Sequence, residues 1–96
     1  MVLLMQIRIR RDVLMQELDG EAVLLDMKTE TYYRLNATGA LAWPVLSKTG
    51  DQEAALKVLQ ERYTSISEER LRNDLKAFVE MLLSRGLAEQ VQESDS

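Results

Sequence analysis

Cysteine and histidine are both missing from the 96 residues, proline occurs once, and the aromatic set is one Trp, three Tyr and one Phe. Without cysteine there can be no disulfide, thiolate metal site or cysteine nucleophile, and without histidine the commonest general base and metal ligand are gone as well. A serine nucleophile would have to use Lys or a carboxylate as its base, and neither G-x-S-x-G nor S-x-x-K occurs. These absences argue against an enzyme and against a metal centre, and no cofactor is expected. No apolar run reaches the ~20 residues that a membrane helix needs. The opening MVLLMQIRIRR lacks the basic, apolar, small-residue order of a secretory signal. A cytoplasmic protein without a membrane partner is expected. An excess of cations is lacking too: 12 Lys and Arg against 16 Asp and Glu give a net charge of -4. That balance disfavours nucleic acid, whose non-specific binding depends on neutralising phosphates with Lys and Arg.

What remains is an ordinary globular composition, 46% hydrophobic and 29% charged. The length suits one domain, since single cores occupy ~50 to 200 residues. Residues 1–96 are therefore read as a single domain with its core over about 11–91, an N-terminal strand or arm at 1–10 and a frayed tail at 92–96. Residues 2–10 alternate toward their end, where Ile7 and Ile9 interleave with Gln6, Arg8 and Arg10, which predicts an extended segment whose partner is not apparent. DVLMQEL and EAVLLDM are separated by Asp19-Gly20, a dipeptide suited to tight hairpin turns, and predict strands at about 13–18 and 22–27. Val23 and Leu25 should share one face, with Leu24 and Asp26 on the other. A polar turn at Lys28-Thr29-Glu30 leads to TYYRL, a β-rich run over 31–35, completing a three-stranded antiparallel meander.

Asn36 and Thr38 are both good helix N-caps, and the helix that follows carries Leu41, Ala42, Val45 and Leu46. Pro44 inside it predicts either a short helix or a kink beside Trp43. Asp51 opens a second helix, with Ala55, Leu56, Leu59 and Tyr63 on one face. For the third, Ser65 has Glu68 three residues on, so the capping box favours Ser65 over Ser67. Leu71, Leu75, Phe78 and Leu82 form an apolar seam along that helix, with Val79, Met81 and Leu83 as additional apolar surface outside it. Gly86 ends it, and Leu87, Ala88 and Val91 can close the core. The fold class is α+β, winged-helix-turn-helix-like, with a three-stranded antiparallel sheet followed by three helices.

A winged-helix arrangement invites a DNA-binding reading, but the third helix sets Glu68, Glu69, Asp74 and Glu80 against Arg70, Arg72, Lys76 and Arg85, a neutral balance where a groove reader is normally basic, which leaves a DNA-binding regulator as the less favoured alternative. The last strand of the meander is more informative. It leads straight into the helices and so should form a sheet edge, yet Arg34 is its single charge and two tyrosines accompany it. An edge left unprotected suits a peptide that adds as a further strand. Alternation puts Tyr33 with Leu35 on the core face, and Trp43 is expected in the core. Tyr32 and Arg34 face the other way, toward solvent or a ligand.

GEAVLLDMKTETYYRLNATGALAW, followed later by FVEMLLSRGLAE, resembles the PqqD-like family of precursor-peptide recognition elements. The resemblance spans about residues 11–91 and rests on Leu25-Asp26, Tyr33, Leu35-Asn36, Thr38-Gly39, Trp43 and Arg85-Gly86-Leu87 in order. The chain departs from the family at Glu30, where a glycine is often found, and at Pro44 after Trp43. The resemblance implies that a leader peptide lies antiparallel along the third strand of the meander, in a cleft against the third helix. It would pair with the backbone of Thr31, Tyr32, Tyr33, Arg34 and Leu35 and meet Leu71, Asp74, Leu75, Phe78 and Val79. A free-standing domain of this size is most similar to the lasso-peptide version, which presents a precursor to a separate cysteine leader peptidase and a ring-closing enzyme. Lasso leaders tend to carry spaced Tyr, Pro and Leu, suited to a cleft lined by Leu71, Leu75 and Phe78. The alternative within the family is a peptide chaperone working with a radical maturation enzyme, as in pyrroloquinoline quinone synthesis. A monomer or weak homodimer is expected, since the same edge could also pair with a second copy.

Overall fold

Alternation and turn chemistry shape the first half of the chain. The computed structural model describes residues 6–91; the expectations for residues 1–5 and for the 92–96 tail lie outside these. Strand β1 (Gln6–Ile9) is followed by β2 (Val13–Leu18), β3 (Glu21–Asp26) and β4 (Thr31–Arg34). Asp19 and Gly20 both have positive φ, 53° and 80°, the geometry a two-residue hairpin needs to match strand twist. Strands β2, β3 and β4 form an antiparallel sheet in that order, with Leu14, Leu25 and Tyr32 in one cross-strand row and Met15, Leu24 and Tyr33 in the next.

The early extended segment finds its partner at the far end of the sequence. β1 pairs antiparallel with β5 (Ala88–Val91), from Gln6 opposite Val91 to Ile9 opposite Ala88, in a second sheet of two strands. Leu87 and Ala88 are buried, as expected of core-closing residues, but the strand itself was not apparent from the sequence.

Helix α1 (Ala37–Thr49) is capped by Asn36, whose side chain accepts from the Gly39 amide at 2.8 Å. Pro44 does not shorten it. A proline in a helix interior costs about 3 kcal/mol, and burial of Ala42, Trp43 and Leu46 on the core face of the same helix outweighs that loss. Gly50 ends α1 with φ 70°, and a side chain there would collide with the Ile7 carbonyl, so glycine is required on two grounds. The Ile7 amide in turn donates to Gly50 O at 3.0 Å, fixing β1 on the α1–α2 junction.

Helix α2 (Gln52–Arg62) starts at Asp51, whose carboxylate accepts from Glu53 and Ala54 amides. Helix α3 (Glu68–Ser84) is capped by Ser67, which accepts from the Arg70 amide at 3.2 Å; the expected cap at Ser65 is not used. The Ile66 amide donates to the Tyr63 carbonyl, so a turn occupies 63–66, and Glu68 pairs with Arg72 at 2.7 Å instead of reaching back to a cap. Glu68 and Glu69 then lie in the first turn, where the helix dipole favours carboxylates. Leu71, Leu75, Phe78 and Leu82 are buried, as the seam predicts. Val79 was expected as outlying apolar surface but is 4% exposed: it widens the buried stripe beyond the four seam residues.

An ion pair joins the sheet to the end of α3. Asp26, 2% exposed, receives Arg10 through Nη2 to Oδ1 at 2.7 Å and Nη1 to Oδ2 at 3.3 Å, while Arg10 Nη1 also donates to Gly86 O at 3.0 Å. The Lys28 amide donates to Asp26 Oδ1 at 3.0 Å. Chiefly through the Arg10 hydrogen bonds, Asp26 is held down at a pKa of about 2. A buried charge without such partners would be strongly destabilising.

Candidate peptide-binding cleft

Strand β4 is an edge of its sheet, paired with β3 alone among the described residues. Which of its backbone groups are free follows from the ladder. The Leu35 amide donates to Ala22 O at 2.9 Å, and antiparallel pairs alternate between bonded and non-bonded. Tyr33, opposite Leu24, therefore turns its amide and carbonyl toward β3, while Tyr32 and Arg34 turn theirs toward the open side. Side chains follow the same alternation: Tyr33 is half-buried against the core and Tyr32 is 55% exposed. The Arg85 guanidinium stands 5.8 Å from the Tyr33 ring centroid, tying the strand to the end of α3.

Between the end of β4 and α3 lies a cleft of about 320 Å³ lined by Arg34, Leu35, Asn36, Asp74, Ala77, Phe78 and Met81. Its floor is apolar, from Leu35, Phe78 and Met81, and its rim carries both signs of charge. Arg34 pairs with Glu21 at 3.1 Å and Asp74 lies 3.8 Å from Arg70, both at exposed positions where such pairs contribute little.

Of the helix residues expected at this site, Asp74 and Phe78 reach the cleft. Leu71 is 1% exposed and belongs to the core. Leu75 and Val79 face away from β4 and line a different groove of about 450 Å³, together with Ile7, Leu56 and Leu83. Thr31 and Tyr32 belong to the strand beside the cleft without lining it. Ala77 and Met81 were missed from the sequence, although they follow from helical geometry: 74, 77, 78 and 81 fall on one face of α3, opposite the face holding 72, 76, 79, 80 and 83. The seam marks what the helix buries, whereas the cleft sits at the margin of that seam.

Arg72 of the helix is engaged locally as well: it contacts both Glu53 and Glu68, at 2.9 and 2.7 Å. Among the described residues no helix is long and apolar enough to cross a membrane.

Residues 21–88 match the family described as coenzyme PQQ synthesis protein D (PqqD). Two solved structures resemble the whole fold. TbiB1 in complex with the TbiA(beta) leader peptide is 28% identical, with a TM-score of 0.70 over 92% of this chain and 99% of that one. Lasso peptide synthetase B1 complexed with the leader peptide is 27% identical, with a TM-score of 0.71 over 86% of this chain and 96% of that one. No curated protein sequence matches the chain.

Proposed function

Since the chain belongs to the PqqD family, we propose that it is a non-catalytic recognition protein that captures the leader of a ribosomally made precursor peptide in lasso-peptide biosynthesis. The observation that carries this reading is an open β4 edge bordered by an apolar-floored cleft, in a fold shared along nearly its full length with two leader-peptide complexes. The leader adds antiparallel to β4, taking hydrogen bonds from Tyr32 and Arg34, while an apolar side chain enters the cleft against Phe78 and Met81. Thr31, Tyr33 and Leu35 keep the strand in place, and the margin of the cleft is set by Asp74 and Ala77. Backbone pairing supplies affinity that tolerates many sequences, and the cleft supplies selectivity.

The protein in this reading acts in the cytoplasm and performs no chemistry. It holds the precursor for a separate cysteine leader peptidase and a ring-closing enzyme, a division of labour consistent with a sequence without Cys or His. Fluorescence anisotropy of a labelled leader, taken from the precursor encoded beside this protein, tests the reading: saturable binding little affected by added salt is expected. A steep loss of affinity with salt would indicate a contact made mainly by exposed charged side chains instead of strand addition with an apolar anchor, and no saturation with the leader would overturn the proposal.

A further inference from the structure

Gly39, in the first turn of α1, is buried, and its backbone is outside the left-handed region that requires glycine. Glycine is a poorer helix former than alanine there, so conformation does not explain its presence. Space does. A Cβ at this position would stand 3.0 Å from Phe78 Cε1 and 3.2 Å from Cδ1, inside the ~3.5 to 4.0 Å of a relaxed carbon contact. The nearest other atom, Asn36 Oδ1, would be 3.4 Å away, an ordinary separation that leaves the helix cap undisturbed. Phe78 thus lies between Gly39 on one side and the β4–α3 cleft on the other.

We propose that Gly39 is a positioning residue that sets the depth of the cleft: with no side chain there, the Phe78 ring rests back against α1 and leaves room for a large apolar side chain of the bound peptide. The proposal builds on the leader-binding reading but concerns a residue that itself touches no peptide. A methyl group at 39 drives the ring outward by a few tenths of an ångström, and the side chain that then fits best is smaller. Gly39 acts on selectivity through Phe78, and its effect disappears once that ring is gone.

Phe78 is the single phenylalanine of the chain, so 4-fluorophenylalanine incorporated into the full-length protein gives one 19F resonance at the cleft. Gly39→Ala should shift that resonance in the free protein. It should weaken the leader by about tenfold, as expected for overpacking of a close-fitting site, and weaken much less a leader whose cleft-filling residue is replaced by Ala. In a Phe78→Leu background, Gly39→Ala should change leader affinity by less than about twofold, because the coupled partner is absent. An unmoved 19F resonance overturns the proposal, as does an undiminished affinity of Gly39→Ala or an equal loss in the Phe78→Leu background. If Gly39→Ala alone does not fold, the Phe78→Leu pair decides. A wild-type protein that binds no leader sinks the functional reading, whereas the 19F shift still tests the placement of the ring.

Discussion

Strands β2 and β4 flank the same sheet, each with one side unpaired among the described residues, but they meet their surroundings differently. β2 is exposed at five of its six positions, and Leu14, Met15 and Leu18 are among the more exposed large hydrophobics of the molecule. β4 alternates between half-buried and exposed, and its end borders a cleft against α3. Both edges offer backbone donors, and by the same ladder alternation the Glu17 amide faces outward as the Arg34 amide does. Free donors are therefore not what singles out β4. The neighbouring helix is: it gives an added strand a wall against which alternate side chains can be buried, while a strand added to β2 would gain hydrogen bonds with little apolar burial.

The sharpest way to break this contrast is a proline on each edge. Arg34→Pro removes an outward amide from β4 and should weaken leader binding by about tenfold or more, one hydrogen bond plus the local misfit of the ring. Arg34→Ala keeps the amide and serves as the side-chain control. Glu17→Pro removes the equivalent donor from β2 and should leave affinity unchanged; equal losses by anisotropy would mean that the cleft does not select the edge. Proline at Tyr33 is a poorer probe, since that amide faces β3 and its loss disrupts the sheet itself.

The next test concerns what holds β4 beside α3. Asp26 titrates at about 2 in the folded protein, below its ordinary 3.8. A depressed carboxyl pKa contributes stability that is fully present above the unfolded value and is lost as pH falls through the folded one, here from about pH 4 down toward 2. Asp26→Asn should lower the urea midpoint at pH 7 and flatten the decline between pH 4 and 2. An unchanged acid profile would show that the Arg10 pair does not couple the sheet to the helix end.

Smaller effects probe the cleft wall and the turn. Ala77 is exposed on the lining face of α3, so Ala77→Gln should reduce leader affinity several-fold while the melting temperature stays within about 2 °C, as surface helix substitutions usually do. Glu30 launches β4 with φ 62°, a left-handed conformation that costs a non-glycine residue about 1 kcal/mol. Glu30→Gly relieves that strain and should raise the melting temperature by a few degrees, with leader affinity nearly unchanged.

Local chemistry was readable from the sequence where it is decided locally. The hairpin at Asp19-Gly20, the meander, the seam of α3 and the buried Trp43 follow from turn residues and periodicity. What was not readable depends on residues far apart in the chain. No pattern in Gln6–Ile9 names Ala88–Val91 as its partner, and Arg10 in an apparent arm gives no hint that it will bind Asp26. Two local features also misled. Ser65 satisfies the capping box, but a turn over 63–66 takes it out of the helix, and Pro44 suggested a short helix or a kink, of which the short helix is not seen because α1 runs on to Thr49. For the cleft, the strand edge and Phe78 could be anticipated. Ala77 and Met81 share a helical face with Asp74 and Phe78, but a seam shows which side of a helix is buried and not which of its borders stands open, so they were not assigned to the cleft.

The pairing of Gln6 with Val91 has a practical corollary. The chain enters and leaves the described fold side by side, on a ribbon that packs against α1 and α3, and Ile7 and Gln90 line the groove on the face of α3 opposite the cleft. Covalent attachments at Gln6 and at Val91 thus arrive at one spot, on the side of α3 opposite the proposed leader cleft. A circular permutant joining the two ends through a short flexible linker, with new termini opened in the exposed 64–66 turn, keeps both sheets and the cleft intact. A second protein joined at Gln6 or Val91 would therefore leave the proposed β4 binding edge uncovered.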